Sequence, residues 1–310
     1  MRALVTGGAG FIGSHVCDAL LAAGHEVTVV DDLSTGREAN VPKAATLRRG
    51  DLRDRAFMTS VFDEVRPEVV CHQAAQTSVA VSAREPVRDA QINVLGSLEL
   101  LEQCVRLRVQ RVVYASTGGA VYGEVPDGER ATVEWPPRPL SPYAVSKLAV
   151  EHYLRGYQQE HGLSSTVLRY ANVYGPRQDP HGEAGVVAIF GRRLIDGQPI
   201  QINARKQTGD DGCVRDYVYV GDVVRWNMLA IEGAVSEPIV NVCTGRGITT
   251  LELARAMAEA LGVKPTLGYG GRRPGDVERS VLESDAAHRR IPPTELRDGI
   301  AATCAWLRGS

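Results

Sequence analysis

A tyrosine and a lysine stand four residues apart, at Tyr143 and Lys147, directly after Pro142. Proline is common in the first turn of a helix, and side chains four residues apart lie on one face of that helix. A free tyrosine has a pKa of about 10, too high for a base at neutral pH, but a neighbouring ammonium lowers that pKa by favouring the phenolate. The pair therefore predicts a tyrosine that takes a proton from a substrate hydroxyl, although this spacing alone often marks two surface residues.

A glycine-rich segment near the start of the chain has the composition of a phosphate-binding turn. Residues 6–13 read Thr-Gly-Gly-Ala-Gly-Phe-Ile-Gly, between a β-branched run and a helical pattern. Glycine is needed where the chain turns sharply, where backbone approaches a pyrophosphate and where a helix packs closely on a strand. The predicted dinucleotide-binding residues of this segment are Gly7, Gly10, Phe11, Ile12 and Gly13.

The end of the next β-branched run indicates which dinucleotide binds. Asp31 and Asp32 begin eighteen positions after Gly13. A carboxylate at this place accepts hydrogen bonds from an adenosine ribose and repels a 2′-phosphate, so NAD is favoured over NADP. A loop aspartate that caps a turn would have the same sequence, and Arg37 could offset the repulsion.

Two further segments follow short apolar runs and have residue types suited to a bound dinucleotide. The first contains an aspartate that could lie beside the adenine amino group, and the second has small residues that let backbone pass close to a cofactor. Taken alone, each is typical of an ordinary loop. The residues assigned to the cofactor here are Asp51, Leu52, Gln73, Ala74 and Ala75.

Short buried runs alternate with amphipathic helical patterns through the first half of the chain. The apolar, β-branched runs lie at residues 3–6, 26–31, 69–72, 111–116 and 166–169. This alternation predicts βαβ units and an α/β fold with a doubly wound parallel sheet, whose ligands bind at the carboxyl ends of the strands.

The second half of the chain is richer in glycine, proline and polar residues. We expect residues 1–170 to form a Rossmann domain that binds NAD, with later segments near 214–232 interleaved. Residues 171–310 are predicted to form a smaller α/β domain, set over the crevice of the first, that binds the substrate.

Composition argues against several classes of protein. The 310 residues include 35 basic and 37 acidic ones, a net charge of −2, which provides no electrostatic footprint for nucleic acid. Six cysteines lie far apart and seven histidines show no metal-ligand spacing, so neither a disulfide framework nor a metal site is expected. No apolar run approaches the ~18 residues of a membrane span. With no signal-peptide pattern at the start, a cytoplasmic protein is expected.

Several motifs taken together resemble one family. Beyond those above, they are Val-Tyr-Gly at 121–123, Arg-Tyr-Ala-Asn-Val-Tyr-Gly-Pro at 169–176, Val-Arg-Asp-Tyr at 214–217 and Arg-Arg-Pro-Gly-Asp at 272–276. Over nearly its whole length the chain resembles the extended short-chain dehydrogenases/reductases, most closely nucleotide-sugar epimerases of the UDP-glucose (UDP-galactose) 4-epimerase type. The resemblance implies bound NAD and a UDP-sugar substrate.

The resemblance also assigns substrate-binding residues by position. Asn172 would bind a diphosphate oxygen, Arg215 and Arg273 would clamp the two phosphates, and Asp276 would meet the uridine ribose. Guanidinium groups suit a diphosphate because they form forked hydrogen bonds. By the same resemblance, the residues packed near the cofactor are Asn93 and Tyr170.

One position departs from the family pattern. The family has Ser or Thr three residues before Val-Tyr-Gly, hydrogen-bonded to the reacting hydroxyl, and here Gly118 stands at that place. We expect Thr117 to replace it, with Ser116 as the alternative, because the following glycines let the turn bring the Thr117 hydroxyl round. The family's 4,6-dehydratases carry Asp-Glu after this threonine. Gly118 and Gly119 offer no acid or base, which disfavours dehydration.

The predicted reaction is NAD-dependent 4-epimerisation of UDP-glucose and UDP-galactose through a transient 4-keto sugar. Tyr143 would act as the base, Thr117 would assist it, and Lys147 would sustain the phenolate and orient the nicotinamide ribose.

UDP-glucuronate is the alternative substrate, since a sugar carboxylate needs only one well-placed donor. The candidate donors are Arg177, Arg192 and Arg193. A 2-N-acetylated substrate stays open.

Two other classes of protein, and an assembly, are considered. A non-catalytic NAD-binding protein would typically have lost the Tyr-Lys pair, and a reductase that releases its cofactor would use NADPH, which fits poorly with Asp31. By analogy, a homodimer is expected to form through the two long helices predicted over residues 89–107 and 142–161. The apolar residues available for that interface, unless they face the sheet, are Leu98, Leu101, Val105, Leu148 and Tyr153.

Overall fold

The computed structural model describes residues 1–179, 185–273, 277–283 and 291–309. The strands, in chain order, are β1 Arg2–Thr6, β2 Glu26–Asp31, β3 Thr46–Arg49, β4 Val69–His72, β5 Arg111–Thr117, β6 Ser165–Tyr170, β7 Asn172–Tyr174, β8 Ile200–Asn203, β9 Val214–Tyr219, β10 Ile239–Val242, β11 Gly247–Thr249, β12 Leu267–Gly270 and β13 Arg279–Ser280. The helices are α1 Phe11–Ala22, α2 Arg55–Val65, α3 Val79–Arg84, α4 Pro86–Ala90, α5 Gly96–Arg106, α6 Gly118–Val121, α7 Pro142–His161, α8 Val186–Ile195, α9 Val220–Ile231, α10 Thr250–Leu261 and α11 Leu296–Gly309.

A seven-stranded sheet flanked by helices dominates the first half of the chain. Its strand order is β10-β6-β5-β4-β1-β2-β3, and β1 pairs in parallel with both β2 and β4. From β1 the chain winds outward to β3 and then returns to β4 on the other side, so the order reverses between β1 and β4. The predicted doubly wound α/β fold is confirmed, and ligands of such sheets bind at this reversal, beyond the carboxyl ends of the strands.

The chain divides into two compact units. The first consists of residues 1–117, 139–169 and 224–240, and the second of residues 118–138, 170–223 and 241–310 as far as they are described. The segment that rejoins the first unit thus starts at residue 224, later than the predicted 214, because it leads into β10 at the edge of the large sheet. Residues 118–138, placed by the prediction in the first domain, group with the second unit.

Each unit has its own apolar core. In the first unit the core includes Leu4, Phe62, Leu100 and Leu154, all at most 1% exposed. In the second unit the apolar core includes Phe190 and side chains from α10 and α11. The sheets of the second unit are small: β11, β9, β13 and β7 form one, and β12 and β8 another.

The predicted helix over residues 89–107 is interrupted in the structure. Helix α4 ends at Ala90, one π-helical turn covers Gln91–Leu95, and α5 begins at Gly96. Such turns occur where a side chain is diverted from regular packing, and here Asn93 binds the backbone of Gln76.

Every helix among the described residues is too short or too polar to cross a membrane. The same residues contain no group of three or more histidine, cysteine or acidic side chains that could hold a metal ion.

Candidate active site

Helix α7 places three polar side chains at intervals of four residues. Its first turn is fixed by Ser141, whose hydroxyl accepts a hydrogen bond from the Ala144 N–H (3.2 Å), with Pro142 following as the first helical residue. Tyr143 is half-buried, and Lys147 and Glu151 are buried. The spacing puts the three side chains on one face, as predicted for the first two.

Thr117 reaches Tyr143. Its hydroxyl interacts with the phenol group and acts to lower the pKa of Tyr143, which favours the phenolate. Burial nevertheless raises the pKa of Tyr143 to about 12, and the negative charge of Asp89 acts in the same direction. Without a cofactor the pKa of Tyr143 thus lies above its ordinary value, because the loss of hydration outweighs the contact with Thr117; that Lys147 and the positive nicotinamide ring together lower this pKa stays a prediction.

Ser116, the alternative to Thr117, is committed elsewhere. It is buried, and its hydroxyl donates to Glu151 Oε1 at 2.5 Å. Glu151 also forms a buried ion pair with Arg169, whose Nε lies 3.1 Å from both carboxylate oxygens. Of the two candidate hydroxyls, only that of Thr117 therefore contacts Tyr143.

The Lys147 side chain is hydrogen-bonded to the backbone of strand β5. Its Nζ donates to the Ala115 carbonyl at 2.9 Å and lies 4.8 Å from the centroid of the Tyr114 ring. Burial lowers the pKa of Lys147 to about 8, while Asp89 and Glu151 oppose that change. An ammonium has three donors, so the carbonyl bond leaves donors for a ligand.

The glycine turn fits a dinucleotide phosphate. Gly7 has φ +69°, and a Cβ there would lie 2.6 Å from the Ala74 nitrogen; a Cβ at Gly13 would lie 2.2 Å from the Gly7 carbonyl oxygen. Helix α1 begins after Gly10 with no side-chain cap and no acidic residue in its first turn. Its first N–H groups, at Phe11 and Ile12, are therefore available to an anion.

Asp31 fastens the glycine turn to the end of β2. One carboxylate oxygen accepts from the Ala9 N–H and the other from the Leu33 N–H, each at 2.9 Å. Burial raises the pKa of Asp31, and these two bonds oppose the rise. Exposed Asp32 caps the following turn by accepting from the Ser34 N–H at 2.9 Å. Both aspartates thus have turn-capping roles, and binding of a ribose stays a prediction.

The structure gives Asp51 and Leu52 different environments. Asp51 is paired with Arg53, whose hydrogen bonds lower the pKa of that carboxyl group. The Leu52 side chain is 8% exposed and belongs to the apolar core, so its contribution to the predicted adenine site is limited to backbone and packing.

The loop after β4 lies against the glycine turn. The Ala74 N–H donates to Thr6 Oγ1 at 3.3 Å, and Gln73 Nε2 donates to Asn227 Oδ1 at 3.0 Å. Ala75, next along this loop, is half-buried. The turn and this loop, both assigned to the cofactor, are thus brought together at the strand-order reversal.

Two residues assigned to the cofactor by resemblance are buried. Asn93 exchanges two hydrogen bonds with the backbone of Gln76, at 2.8 and 2.9 Å. Asn93 therefore fixes the backbone of the loop after β4, next to the residues of that loop that are predicted to bind the cofactor. Tyr170 is 5% exposed at the carboxyl end of β6.

A buried polar chain below the site was not predicted. His72 lies between Thr6 Oγ1 (2.7 Å to Nδ1) and Ser97 Oγ (2.9 Å to Nε2). The Ser97 hydroxyl donates to the Asn93 carbonyl, so it accepts from Nε2–H, and Nδ1 accepts from Thr6. Burial, and then Lys147, lower the pKa of His72 to about 3. The sequence offered one signal, a histidine at a strand end.

Asn172 and Arg215 share one face of the small sheet in the second unit. In the parallel β7–β9 pair, Asn172 is opposite Tyr217, and Arg215 is two residues before Tyr217. Within the described part of the chain, the buried Nδ2 of Asn172 has no hydrogen-bond partner, and Arg215 donates only to the Val214 carbonyl at 3.0 Å. Both keep donors for an anionic ligand.

The other predicted substrate residues are less clearly placed. Arg273 is exposed, and two of its guanidinium nitrogens would lie 2.7 and 2.8 Å from the Asn203 amide oxygen when that amide is oriented to accept from them. Asp276 lies outside the described residues. Among the candidate carboxylate donors, Arg192 pairs with Asp196 and Arg193 donates to the Pro199 carbonyl.

Comparisons with known proteins agree with this geometry. The model of the NAD dependent epimerase/dehydratase family matches residues 3–243. A UDP-glucose 4-epimerase from Thermus thermophilus, solved in complex with NAD, is 55% identical, covers 100% of both chains and superposes with a TM-score of 0.96. The UDP-glucose 4-epimerase of Thermotoga maritima, solved with UDP-glucose, is 44% identical over 100% of this chain and 99% of that one, with a TM-score of 0.93. A UDP-glucose 4-epimerase from Mycolicibacterium smegmatis is 42% identical over 99% of each chain.

Proposed function

The chain belongs to the NAD dependent epimerase/dehydratase family, and from this premise we propose that it interconverts UDP-glucose and UDP-galactose at carbon 4 of the sugar. The observation that carries the proposal is the placement of Tyr143 on α7, where the Thr117 hydroxyl acts on its phenol and the buried ammonium of Lys147 lies one helical turn away. The relatives named above share the full length of this chain, and each is a UDP-glucose 4-epimerase.

NAD is the cofactor of this family, and the glycine turn has the free N–H groups and the close backbone approach that its pyrophosphate needs. The carboxylates of Asp31, Asp32 and Asp51 would receive the adenosine half. When bound, NAD supplies the hydride acceptor and donor for carbon 4.

The side chains of the first unit would move the proton. Tyr143 would take the proton of the sugar 4-hydroxyl and return it after the sugar has presented its other face. Thr117 would hold the reacting oxygen against the phenol, and Lys147 would stabilise the phenolate and orient the nicotinamide ribose. Since burial raises the pKa of Tyr143, the phenolate requires additional positive charge beyond what the described side chains provide.

The donors of the second unit would hold the UDP group. Asn172 and Arg215 have donors to spare on one face of the small sheet, and Arg273 would add a second guanidinium. A diphosphate offers enough oxygens to satisfy all three side chains.

A neutral hexose is favoured over UDP-glucuronate because the relatives named above are UDP-glucose 4-epimerases. Two of the candidate donors for a sugar carboxylate, Arg192 and Arg193, already bond to Asp196 and the Pro199 carbonyl. Dehydration is disfavoured because Gly118 and Gly119 provide no acid or base after Thr117.

A side-by-side assay tests the proposal. Purified protein is incubated with UDP-galactose, UDP-glucuronate and UDP-N-acetylglucosamine, and the products are separated by chromatography. We expect conversion of UDP-galactose to be the fastest and to be lost with Tyr143→Phe, by about 10²–10⁴-fold, while NAD stays bound. The exposed tyrosine on the same helix gives the matched control, Tyr153→Phe, which should keep turnover. Retention of NAD without any conversion would indicate a non-catalytic NAD-binding protein.

The proposed assembly is a homodimer that forms through residues 89–107 and helix α7. Leu95, Val145 and Tyr153 are 54%, 52% and 45% exposed and provide unpartnered apolar surface. Of the residues expected at this interface, Leu101 is instead 1% exposed within the core. Light scattering should give twice the monomer mass, and Val145→Glu combined with Tyr153→Glu should halve it; a monomeric parent protein would contradict the assembly.

A further inference from the structure

Asp89 carries a buried negative charge close to the proposed catalytic pair. It is 0% exposed. Its carboxylate accepts hydrogen bonds from Gln76 Nε2 (2.8 Å), Asn93 Nδ2 (3.1 Å) and Ser146 Oγ (2.6 Å). All three partners donate to the carboxylate in this arrangement, which suits a negatively charged acceptor.

No cation pairs with Asp89 among the described residues, which distinguishes it from the other buried acid nearby. Glu151 contacts Arg169 directly, so its charge is neutralised within a local ion pair. The charge of Asp89 is balanced only through space. The negative charge of Asp89 raises the pKa of Lys147, Tyr143 and Tyr114, so its field reaches the proposed catalytic pair.

The groups around the Lys147 ammonium define what else acts on it. The charged and titratable side chains that face it are Asp89 from α4, neutral His72 from β4, Tyr114 from β5, and Tyr143 and Glu151 from its own helix. Of the two negative charges that act on Lys147, Asp89 has the larger effect, and Glu151, which is paired with Arg169, has the smaller one.

We propose that Asp89 is a positioning residue for the 4-epimerisation, with its carboxylate fixing α7 through the hydrogen bond from Ser146 and its negative charge acting on the Lys147 ammonium. The inference rests on the proposed function. The bond to Ser146 fixes the helix between its two reacting side chains, since Ser146 lies between Tyr143 and Lys147 in the sequence. The hydrogen bonds to Gln76 and Asn93 tie the same carboxylate to the loop assigned to NAD.

The charge has a predictable effect on catalysis as a function of pH. Burial alone would let Lys147 lose its proton near neutral pH. The site would then lack the ammonium that stabilises the Tyr143 phenolate. Asp89 raises the pKa of both groups, so its removal lowers both. The acidic and alkaline limbs of the turnover profile should therefore move together to lower pH.

Asp89→Asn separates charge from geometry. Its amide oxygen can still accept from Gln76 and Asn93, and its nitrogen can donate to Ser146 Oγ, so the hydrogen bonds persist while the charge is lost. In the NAD-loaded enzyme we expect both limbs of kcat against pH to shift down by about 1 pH unit, the effect of one neighbouring charge. Ser146→Ala is the matched control, because it removes a hydrogen bond and keeps the charge. It should lower kcat and leave both limbs in place.

A direct titration provides a readout independent of turnover. The ultraviolet absorbance of the Tyr143 phenolate is obtained as the difference between the protein and its Tyr143→Phe variant, in the parent and Asp89→Asn backgrounds. We expect the phenolate to form at lower pH in Asp89→Asn. Unmoved limbs and an unmoved titration, or equal movement in Ser146→Ala, would overturn the inference.

Failure of the inference is distinguishable from failure of the proposed function. If the parent protein converts no UDP-sugar, the proposed function fails, while the phenolate titration still decides the effect of Asp89 on Tyr143. If Asp89→Asn does not fold, Asp89→Ser replaces it, because a serine also removes the charge and keeps an oxygen acceptor.

Discussion

Thr117 and Ser116 are adjacent hydroxyl side chains at the end of β5, and the structure assigns them different partners. The Ser116 hydroxyl is used by Glu151, whereas the Thr117 hydroxyl reaches the Tyr143 phenol. Thr117 is therefore the residue that we propose takes the place of the serine or threonine that the family pattern has at Gly118. A hydroxyl that touches both the base and the substrate oxygen would contribute mainly when charge develops between them.

Thr117→Val should lower kcat for UDP-galactose by about 10- to 100-fold, since a hydrogen bond to a charged group contributes about 1.5–3 kcal/mol. Valine keeps the shape of threonine and removes only the hydroxyl. Thr117→Ser, which restores the hydroxyl, should recover most of the turnover at saturating substrate. A larger loss with Ser116→Ala than with Thr117→Val would assign the assisting hydroxyl to Ser116.

At the scale of single elements, α1 illustrates why a glycine is required at one helical position and not at another. Gly13 packs on the turn before it, so a Cβ would lie 2.2 Å from a backbone oxygen. Gly156 in α7 has no heavy atom within 4 Å of the place where its Cβ would be. The same substitution therefore has opposite consequences in the two helices.

Gly13→Ala should destabilise the protein and weaken NAD binding, because the glycine turn must move away from α1. Gly156→Ala should raise stability by about 0.5–1 kcal/mol, the usual gain of alanine over glycine within a helix. Thermal unfolding with and without NAD measures both effects. Equal melting temperatures for the two variants would contradict the close packing at Gly13.

The sequence predicted best those elements whose signals are local. Strands β1, β2 and β4 and helix α7 were located to within one residue, because continuous apolar runs and the Ser141-Pro142 start mark them. Strand β10 was missed, since it lies beyond the irregular region and joins the sheet only through tertiary pairing with β6. The π-helical turn at Gln91–Leu95 depends on the contact of Asn93 with a distant loop, which no local pattern contains.

The candidate site also divides into residues with a local sequence signal and residues that only the fold brings together. The residue types and spacing of Tyr143, Lys147 and the glycine turn led to roles that stay predictions, and Thr117 was assigned from the family resemblance and the glycines that follow it. Asp89 was not predicted, because an acidic residue in a helical segment is usually exposed to solvent. Only the fold shows that its carboxylate is buried and that Ser146 approaches it.

At the scale of the whole molecule, the first unit is built from three separate segments of the chain. Its sheet is completed by β10, and Asn227 in α9 contacts Gln73 beside the glycine turn. The predicted NAD site therefore depends on the fold of a segment more than 200 residues later in the chain than the turn. Global unfolding and loss of the NAD site are expected to coincide.

His72 makes that global stability depend on pH. In the folded protein the pKa of His72 is about 3, whereas an unfolded histidine titrates near 6.5. Below about pH 6.5 the unfolded chain binds a proton that the folded chain excludes, so stability falls as the pH drops from 6.5 towards 3 and is unaffected by this residue above 6.5. At pH 5 the loss of stability amounts to about 2 kcal/mol.

Denaturant unfolding of the parent protein and of His72→Gln at pH 7.5 and pH 5 measures this loss. At pH 7.5 His72→Gln should be less stable than the parent, because the hydrogen bonds to Thr6 and Ser97 are weakened. Between pH 7.5 and pH 5 it should lose less stability than the parent. The exposed His152 provides the control, His152→Gln, which should keep the parent's pH dependence, and an identical acid loss in His72→Gln would place the acid sensitivity in other groups.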